Sequence, residues 1–235
     1  MSTYLSDQNQ YKQQYKWLVL LAMFYLIGWN TTYLMIYKMV ELHHILEPGA
    51  IFLFPLSYVV ADIIAEVYGY RIARQIVWFA LFSGFIFCVG VYFVALLPAP
   101  AYWHKQESYN IVFSPIIRAY FATTIASLAG NFANIYFISK WKVLAYGKYF
   151  WLRSLSSTAI GELIFSVVGG TCAYAGVVPW SKIVFLMLDG YLFKMAYALA
   201  AVWPAVVIVY FIKKSEKIDV YDADISYNPF RLSAN

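Results

Sequence analysis

The feature that most constrains this chain is a series of six apolar runs, each long enough to cross a lipid bilayer as a helix. A helical span needs about 20 largely apolar residues to cross roughly 30 Å of hydrocarbon. The runs lie at about 17–37, 49–68, 76–97, 116–139, 154–176 and 183–212. The sequence therefore predicts an all-α polytopic membrane protein, a bundle of about six transmembrane helices.

Composition supports a lipid environment. Of the 235 residues, 63% are hydrophobic and only 12% are charged, whereas soluble domains carry roughly a quarter charged residues. A soluble fold of this length would leave much of that apolar excess in water. The net charge of +5 is divided among short clusters between the runs. A nucleic-acid partner would require a continuous basic surface, so we expect the lipid bilayer, and no nucleic acid, as a partner.

The distribution of Lys and Arg predicts the orientation. Twelve of them fall on the side of the termini, and three, Lys38, Lys105 and Lys182, fall on the other side. Because cytoplasmic loops are enriched in Lys and Arg, both termini are expected in the cytoplasm, with the spans in the inner (plasma) membrane. The predicted organisation is a cytoplasmic segment at 1–16, a transmembrane domain at 17–212 and a cytoplasmic tail at 213–235. We expect this short acidic tail to be solvated or loosely ordered.

Two spans have unusual features. The second contains Pro55, Asp62 and Glu66, which leaves open a broken or re-entrant segment in place of a continuous helix. The sixth is long and contains Pro204, which favours a tilt or a kink.

Polar residues within the spans indicate an internal site. A charge there costs at least about 2.5–3.5 kcal/mol on insertion scales, so it normally faces a cavity or a partner. The charged residues and amides at membrane depth are Asp62, Glu66, Arg118, Glu162, Asp189, Lys194, Asn30, Asn131 and Asn134. One or two of these would be explained by structural pairs, but a set of this size predicts a polar pocket enclosed by the bundle.

Depth distinguishes the members of this set. With a rise of 1.5 Å per residue, Glu162 lies roughly 13 Å from the cytoplasmic edge and Lys194 roughly 16 Å from the outer edge, both near the midplane. We favour a pocket role over helix packing for Glu162, Lys194 and Asn131. For Glu66, an interfacial ion pair with Arg74 is an equal alternative, and Asp189 has the alternative of pairing with a nearby lysine.

The sequence lacks the motifs of common enzymes. The histidines His43, His44 and His104 fall in predicted outer loops, and no HExxH, GxSxG or Walker motif occurs. Cys88 and Cys172 each lie inside an apolar run, where a cysteine usually behaves as a small hydrophobe. We therefore expect no metal site, no cofactor, no disulfide and no enzymatic activity.

The stretch GAIFLFPLSYVVADIIAEVYGYRIARQIVWF, residues 49–79, resembles the signature of the queuosine-precursor transporter family, also described as vitamin-uptake transporters. The matching positions are Gly49, Ala50, Phe54, Pro55, Asp62, Glu66, Gly69, Ala73 and Arg74. Later stretches around Glu162 and Lys194 are also similar to the family pattern, so the resemblance covers nearly the whole chain. This chain departs from the pattern at Phe165 and at Val202–Trp203, where the family often has an Asp.

The resemblance implies uptake of a small purine-like substrate, a 7-deazaguanine base used to salvage the tRNA nucleoside queuosine. Such a base presents two parallel N–H donors, which a buried carboxylate can accept. The predicted binding residues are Asn30, Asp62, Glu66, Asn131, Glu162 and Lys194. Glu162 and Asp62 would accept from the base, Lys194 would neutralise one acid and donate to the base, and the two amides would complete the hydrogen bonds.

Two alternatives differ in class. The chain would also suit a substrate-binding subunit of a multi-component vitamin or purine-like transporter, energised by a separate partner. A membrane-embedded enzyme would have to use the carboxylates of Asp62 and Glu66 without histidine or metal, which we disfavour. The sequence leaves a homodimer, an energising partner and the preferred precursor open.

Overall fold

A computed structural model of the chain describes residues 15–42, 45–223 and 225–231. Seven α-helices occur in these ranges: α1 Lys16–Met35, α2 Phe54–Tyr68, α3 Tyr70–Leu96, α4 Gln106–Phe113, α5 Ile116–Leu144, α6 Phe150–Tyr174 and α7 Trp180–Glu216. Two strands, β1 Met39–Leu42 and β2 Ile45–Pro48, lie between α1 and α2. All but two residues of the predicted segment 1–16 lie outside the described residues, as do His43 and His44.

Six stretches of the described chain are long and apolar enough to cross a membrane, which confirms the six spans predicted from the sequence. They are Lys16–Met35, Gly49–Tyr68, Tyr70–Leu96, Gln106–Leu144, Phe150–Tyr174 and Trp180–Glu216. In the second span 78% of the apolar stretch is buried, against 33% or less in each of the others. The second span is therefore the central helix, and the other five surround it.

The second span is broken, one of the two forms that the sequence left open. A 3-10 turn at Gly49–Phe52 precedes α2, and Leu53 separates the two segments. Pro55 lies in the first turn of α2, where its missing N–H leaves no helical hydrogen bond unmade. With 15 residues, α2 is only about 22 Å long, and the 3-10 turn extends it to the 20-residue span Gly49–Tyr68.

The chain before this turn forms a β-hairpin, which the sequence analysis read as a loop. Strands β1 and β2 pair antiparallel, with Val40 opposite Glu47. The Gly49 N–H donates to the Lys38 carbonyl over 2.6 Å and closes the base of the hairpin. We refer to this side of the bundle as the hairpin end and to the opposite side, where α1 begins and α7 ends, as the terminal end.

Helices α5 and α6 pack closely through two glycines. A Cβ atom placed on Gly161 would lie 2.8 Å from the carbonyl oxygen of Gly130, so a larger residue would force the helices apart. The neighbouring residues in the chain are Asn131 and Glu162. The close contact therefore lies near the middle of both helices, at the level of two predicted polar residues.

The described part of the tail packs against the terminal end, so the expectation of a solvated or loosely ordered tail is wrong for these residues. Asp222 is 4% exposed and accepts a hydrogen bond from the Tyr70 N–H over 2.8 Å. Arg74 donates to the Asn228 carbonyl over 2.7 Å. Gly69 ends α2 with φ at 85°, and this turn exposes the first N–H groups of α3, which need acceptors. Asp224 lies outside the described residues.

Candidate functional site

A cavity of about 100 Å³ lies in the hairpin half of the bundle. Residues from α1, the hairpin, the 3-10 turn, α2, α5, α6 and α7 line it, and most of them are apolar. The polar exceptions are Thr32, Glu47, Thr123, Ser166 and Lys194. An apolar cavity with a few convergent polar groups is the usual form of a small-molecule site.

A buried ion pair between α6 and α7 adjoins this cavity through Lys194. The Lys194 ammonium donates to Glu162 Oε2 over 2.7 Å and to Ser166 Oγ over 2.5 Å. Lys194 is 7% exposed and Glu162 is 1% exposed, and Glu162 lies at the midpoint of α6. The second carboxylate oxygen, Oε1, is buried without a hydrogen-bond partner. Since buried acceptors are normally satisfied, this oxygen is available to a donor that the protein itself does not supply.

Aromatic rings form one wall. Phe165 lies beneath the Lys194 ammonium, with 5.6 Å between the nitrogen and the ring centroid. The Phe54 ring is 4.6 Å from Phe165 at an angle of 34°, and Trp29 meets Phe54 edge-on at 5.4 Å. Phe54 and Phe165 both line the cavity. This wall offers a flat apolar surface at the position where the family pattern often has an acid.

A carboxylate that does line the cavity, Glu47, was not predicted from the sequence. It comes from β2 and is 5% exposed. A Cβ on Gly190 of α7 would lie 3.1 Å from Glu47 Oε2, while Glu47 Oε1 has no hydrogen-bond partner. The pKa of Glu47 is raised to about 7, chiefly by burial and further by the charge of Asp189, with Lys194 opposing the rise. The sequence indicates Glu47 only by its position directly before Pro48 and Gly49, where the stretch that resembles the family signature begins.

Asp62 lies in a separate polar cage between α2, α5 and α6. Its Oδ1 accepts from Asn134 over 2.7 Å. Its Oδ2 accepts from Ser154 over 2.5 Å and from Thr158 over 3.1 Å. Both oxygens of this buried carboxylate are thus engaged by the protein. Asp62 does not line the cavity.

Glu66 belongs to what we term the terminal cluster, formed by Glu66, Lys142, Arg153, Lys213 and Asp219. Glu66 accepts from Arg153 over 2.8 Å and from Lys213 over 2.7 Å. Asp219 accepts from Lys142 over 2.5 Å and from Lys213 over 2.8 Å. Desolvation raises the pKa of Asp219, but these two lysines outweigh it and hold the pKa below its ordinary value.

The alternative pairing of Glu66 with Arg74 is wrong, because the guanidinium of Arg74 donates to tail carbonyls. The partner from α6, Arg153, is far away in the chain and was not assigned to Glu66 from the sequence.

The two predicted amides have different surroundings. Asn131 is fully buried and its Nδ2 donates to the Tyr25 hydroxyl over 2.5 Å. Asn30 donates to Ser83 over 3.2 Å. Of the six predicted binding residues, the structure therefore brings Glu162 and Lys194 into direct contact, and Lys194 alone among the six lines the cavity.

Metal ligation has no candidate site among the residues that the structure describes, since no group of three or more His, Cys, Asp or Glu side chains is arranged to hold an ion. Cys88 and Cys172 are both free.

The fold is that of a polytopic α-helical membrane protein whose helices enclose an apolar cavity with a few polar groups. Residues 48–209 match the family model described as "Putative vitamin uptake transporter", and the chain belongs to this family. It is 25% identical over 189 residues to a protein from Bacillus subtilis (strain 168) named "Probable queuosine precursor transporter", covering 79% of this chain and 82% of that relative. No solved structure matches the chain.

Proposed function

We propose that this protein imports queuosine precursors across the inner (plasma) membrane for salvage into tRNA. The substrates would be 7-deazaguanine bases, such as the 7-cyano or 7-aminomethyl base, or queuine. Family membership and the name of the Bacillus relative support the class of solute. The observation that carries the proposal is the buried Glu162–Lys194 pair, which leaves one carboxylate oxygen without a partner.

The pair suits the edge of a guanine-like base. Glu162 Oε1 would accept one N–H of the base, and the Lys194 ammonium would donate to its ring carbonyl. The flat ring would pack on Phe54 and Phe165, because offset stacking of aromatic rings adds to the free energy of burial. One N–H donor of the base would thus meet a carboxylate acceptor, and its ring carbonyl would meet an ammonium donor.

The roles predicted for Asp62, Glu66, Asn30 and Asn131 as substrate contacts remain proposals. Asn131 is the best placed of the four, because it adjoins the Gly130–Gly161 contact beside Glu162 and its Oδ1 has no partner. Asp62 and Glu66 would have to exchange hydrogen bonds with protein groups for bonds with the substrate.

We further propose that the terminal end faces the cytoplasm, as the excess of Lys and Arg on that side favours. The cavity would then occupy the outer half of the bundle. The terminal cluster would close the inner half in this conformation. A base would enter from outside and leave when the cluster separates.

The proposal is tested in cells that lack both their own precursor transporter and de novo synthesis of the base. Each of the three precursors is supplied with and without the protein, and queuosine is measured in tRNA. We expect rescue by at least one precursor, and loss of rescue with Glu162→Gln or Lys194→Met. The matched control is Glu107→Gln on α4, an exposed residue, which should retain rescue.

Failure of all three precursors, with the protein present in the membrane, would contradict the proposed substrates. Recovery of rescue only on co-expression of an ATPase would instead identify a subunit that requires an energising partner.

A further inference from the structure

Glu47 gives the cavity a buried carboxylate with an unused hydrogen-bond acceptor. Only 5% of Glu47 is exposed, and its Oε1 has no hydrogen-bond partner. A buried carboxylate oxygen without a donor loses the hydration that it has in water. The protein retains this group at the wall of a cavity, so a ligand is the natural source of the missing donor.

The charges around the cavity are unbalanced. Lys194 is the only Lys or Arg among the residues lining it, and its ammonium is already bonded to Glu162 and Ser166. Glu47 therefore adds a negative charge with no cation bonded to it in the described chain. Asp189, which acts on Glu47 through its charge, increases the negative potential on this side.

We infer that Glu47 binds a protonated amine on the substrate, so that the cavity takes a flat heteroaromatic base carrying an exocyclic ammonium group. This inference rests on the proposed function and narrows its substrate class. The ammonium would donate to Glu47, while Glu162 and Lys194 bind the ring edge. A nitrile in the same position has no donor for Glu47, so the 7-aminomethyl base is preferred over the 7-cyano base.

The two bases form a matched pair, because the substituent at position 7 consists of one carbon and one nitrogen in each. Their dissociation constants are measured by calorimetry on the purified full-length protein in detergent, for the wild type, Glu47→Gln and Glu41→Gln. A charge-assisted hydrogen bond is worth enough to give the wild type at least about a tenfold preference for the aminomethyl base. Glu47→Gln should abolish this preference and change the affinity for the cyano base by less than about twofold. Glu41 lies on the same hairpin with an exposed side chain, so Glu41→Gln should retain the preference.

A dependence on pH gives a second readout that needs no variant. The groups that act on the Glu47 carboxylate through charge are Asp189 and Lys194 of α7, and Glu47 in turn acts on the Tyr174 hydroxyl of α6. With its pKa raised to about 7, Glu47 is largely protonated at pH 6 and ionised at pH 8. An alkyl amine remains protonated over this range. Affinity for the aminomethyl base should therefore rise by up to about tenfold from pH 6 to pH 8. Affinity for the cyano base should stay the same over this range.

The outcomes separate this inference from the proposed function. Equal affinity of the wild type for the two bases, or equal weakening of both by Glu47→Gln, overturns the role of Glu47. If Glu47→Gln does not fold, Glu47→Asp should keep the preference, and its loss overturns the inference. Rescue of the cells by none of the three precursors contradicts the proposed function, while the affinities of the purified protein still decide on Glu47. Binding of neither base by that protein overturns both.

Discussion

The hairpin half and the terminal half of this bundle both bury charge, but they treat it differently. In the terminal cluster, both oxygens of Glu66 are bonded, one to Arg153 and one to Lys213. At the cavity, Glu47, and Glu162 behind the cavity-lining Lys194, each leave one buried oxygen without a partner. The protein therefore supplies partners for both oxygens of the carboxylate at one end and leaves acceptor oxygens unpaired at the other.

This difference separates two functions of buried charge. A charge whose partners are all in the protein holds helices together, and removal of one member leaves the others uncompensated. A charge with open bonding capacity has the means to select a ligand. Variants in the terminal cluster should consequently reduce stability, whereas variants in the cavity should reduce substrate affinity.

The largest effect is expected for Glu66→Ala. It leaves Arg153 and Lys213 without their carboxylate, which for a buried pair costs about 3–5 kcal/mol. The midpoint of thermal unfolding in detergent should fall by on the order of 10 °C. The exposed control Glu107→Ala should unfold at the wild-type temperature. An unchanged midpoint for Glu66→Ala would show that the cluster does not hold the terminal end together.

Glu162→Gln should have the opposite profile. Its amide keeps the shape but removes the charge that binds Lys194 and the N–H of the base, so substrate affinity should fall about 10- to 100-fold. Binding to the purified variant and its unfolding midpoint are measured together. Unchanged affinity would exclude Glu162 from the binding site, whatever the midpoint shows.

Asp62→Asn tests which half Asp62 resembles. Its three hydrogen bonds from Asn134, Ser154 and Thr158 predict a structural role, with a loss of about 1–3 kcal/mol in the free energy of unfolding. Affinity for the base should change less than in Glu162→Gln. A large loss of affinity at an unchanged unfolding midpoint would instead support the substrate contact that the sequence analysis proposed.

The smallest effect is expected for Asp219→Asn, because the Asp219 side chain is 41% exposed. A pair this exposed contributes no more than about 1 kcal/mol. Since the pKa of Asp219 is below its ordinary value, its stabilisation is present above about pH 4 and is lost as the pH falls through the lowered pKa. The difference in unfolding midpoint between wild type and variant should shrink on acidification. A difference that grows in acid would contradict the assigned charge state.

The spans were predictable because each is a continuous run of apolar residues of the length that a bilayer requires. The same reasoning placed Glu162 and Lys194 at similar depth, and the structure pairs them. The hairpin at 39–48 was not foreseen, because its two strands have only four residues each and each strand contains one glutamate, Glu41 or Glu47.

The parts that the sequence did not predict depend on contacts between distant positions. Glu47 lies outside every apolar run, so its charge was assigned to a loop although α7 buries it. Arg153 bonds to Glu66 although 87 positions separate them in the chain. Arg74 was considered as the partner because it is close to Glu66 in the sequence. The tail was expected to be solvated because of its acids, but Asp222 serves the free N–H at the start of α3.

The central claim is that the base binds in the hairpin-half cavity. The most direct test is an experimental structure of the full-length protein with the 7-aminomethyl base bound. We expect ligand density against Phe165, with the edge of the ring at Glu162 and Lys194 and the amine at Glu47. Density at the terminal cluster or within the Asp62 cage, with the cavity empty, would contradict it.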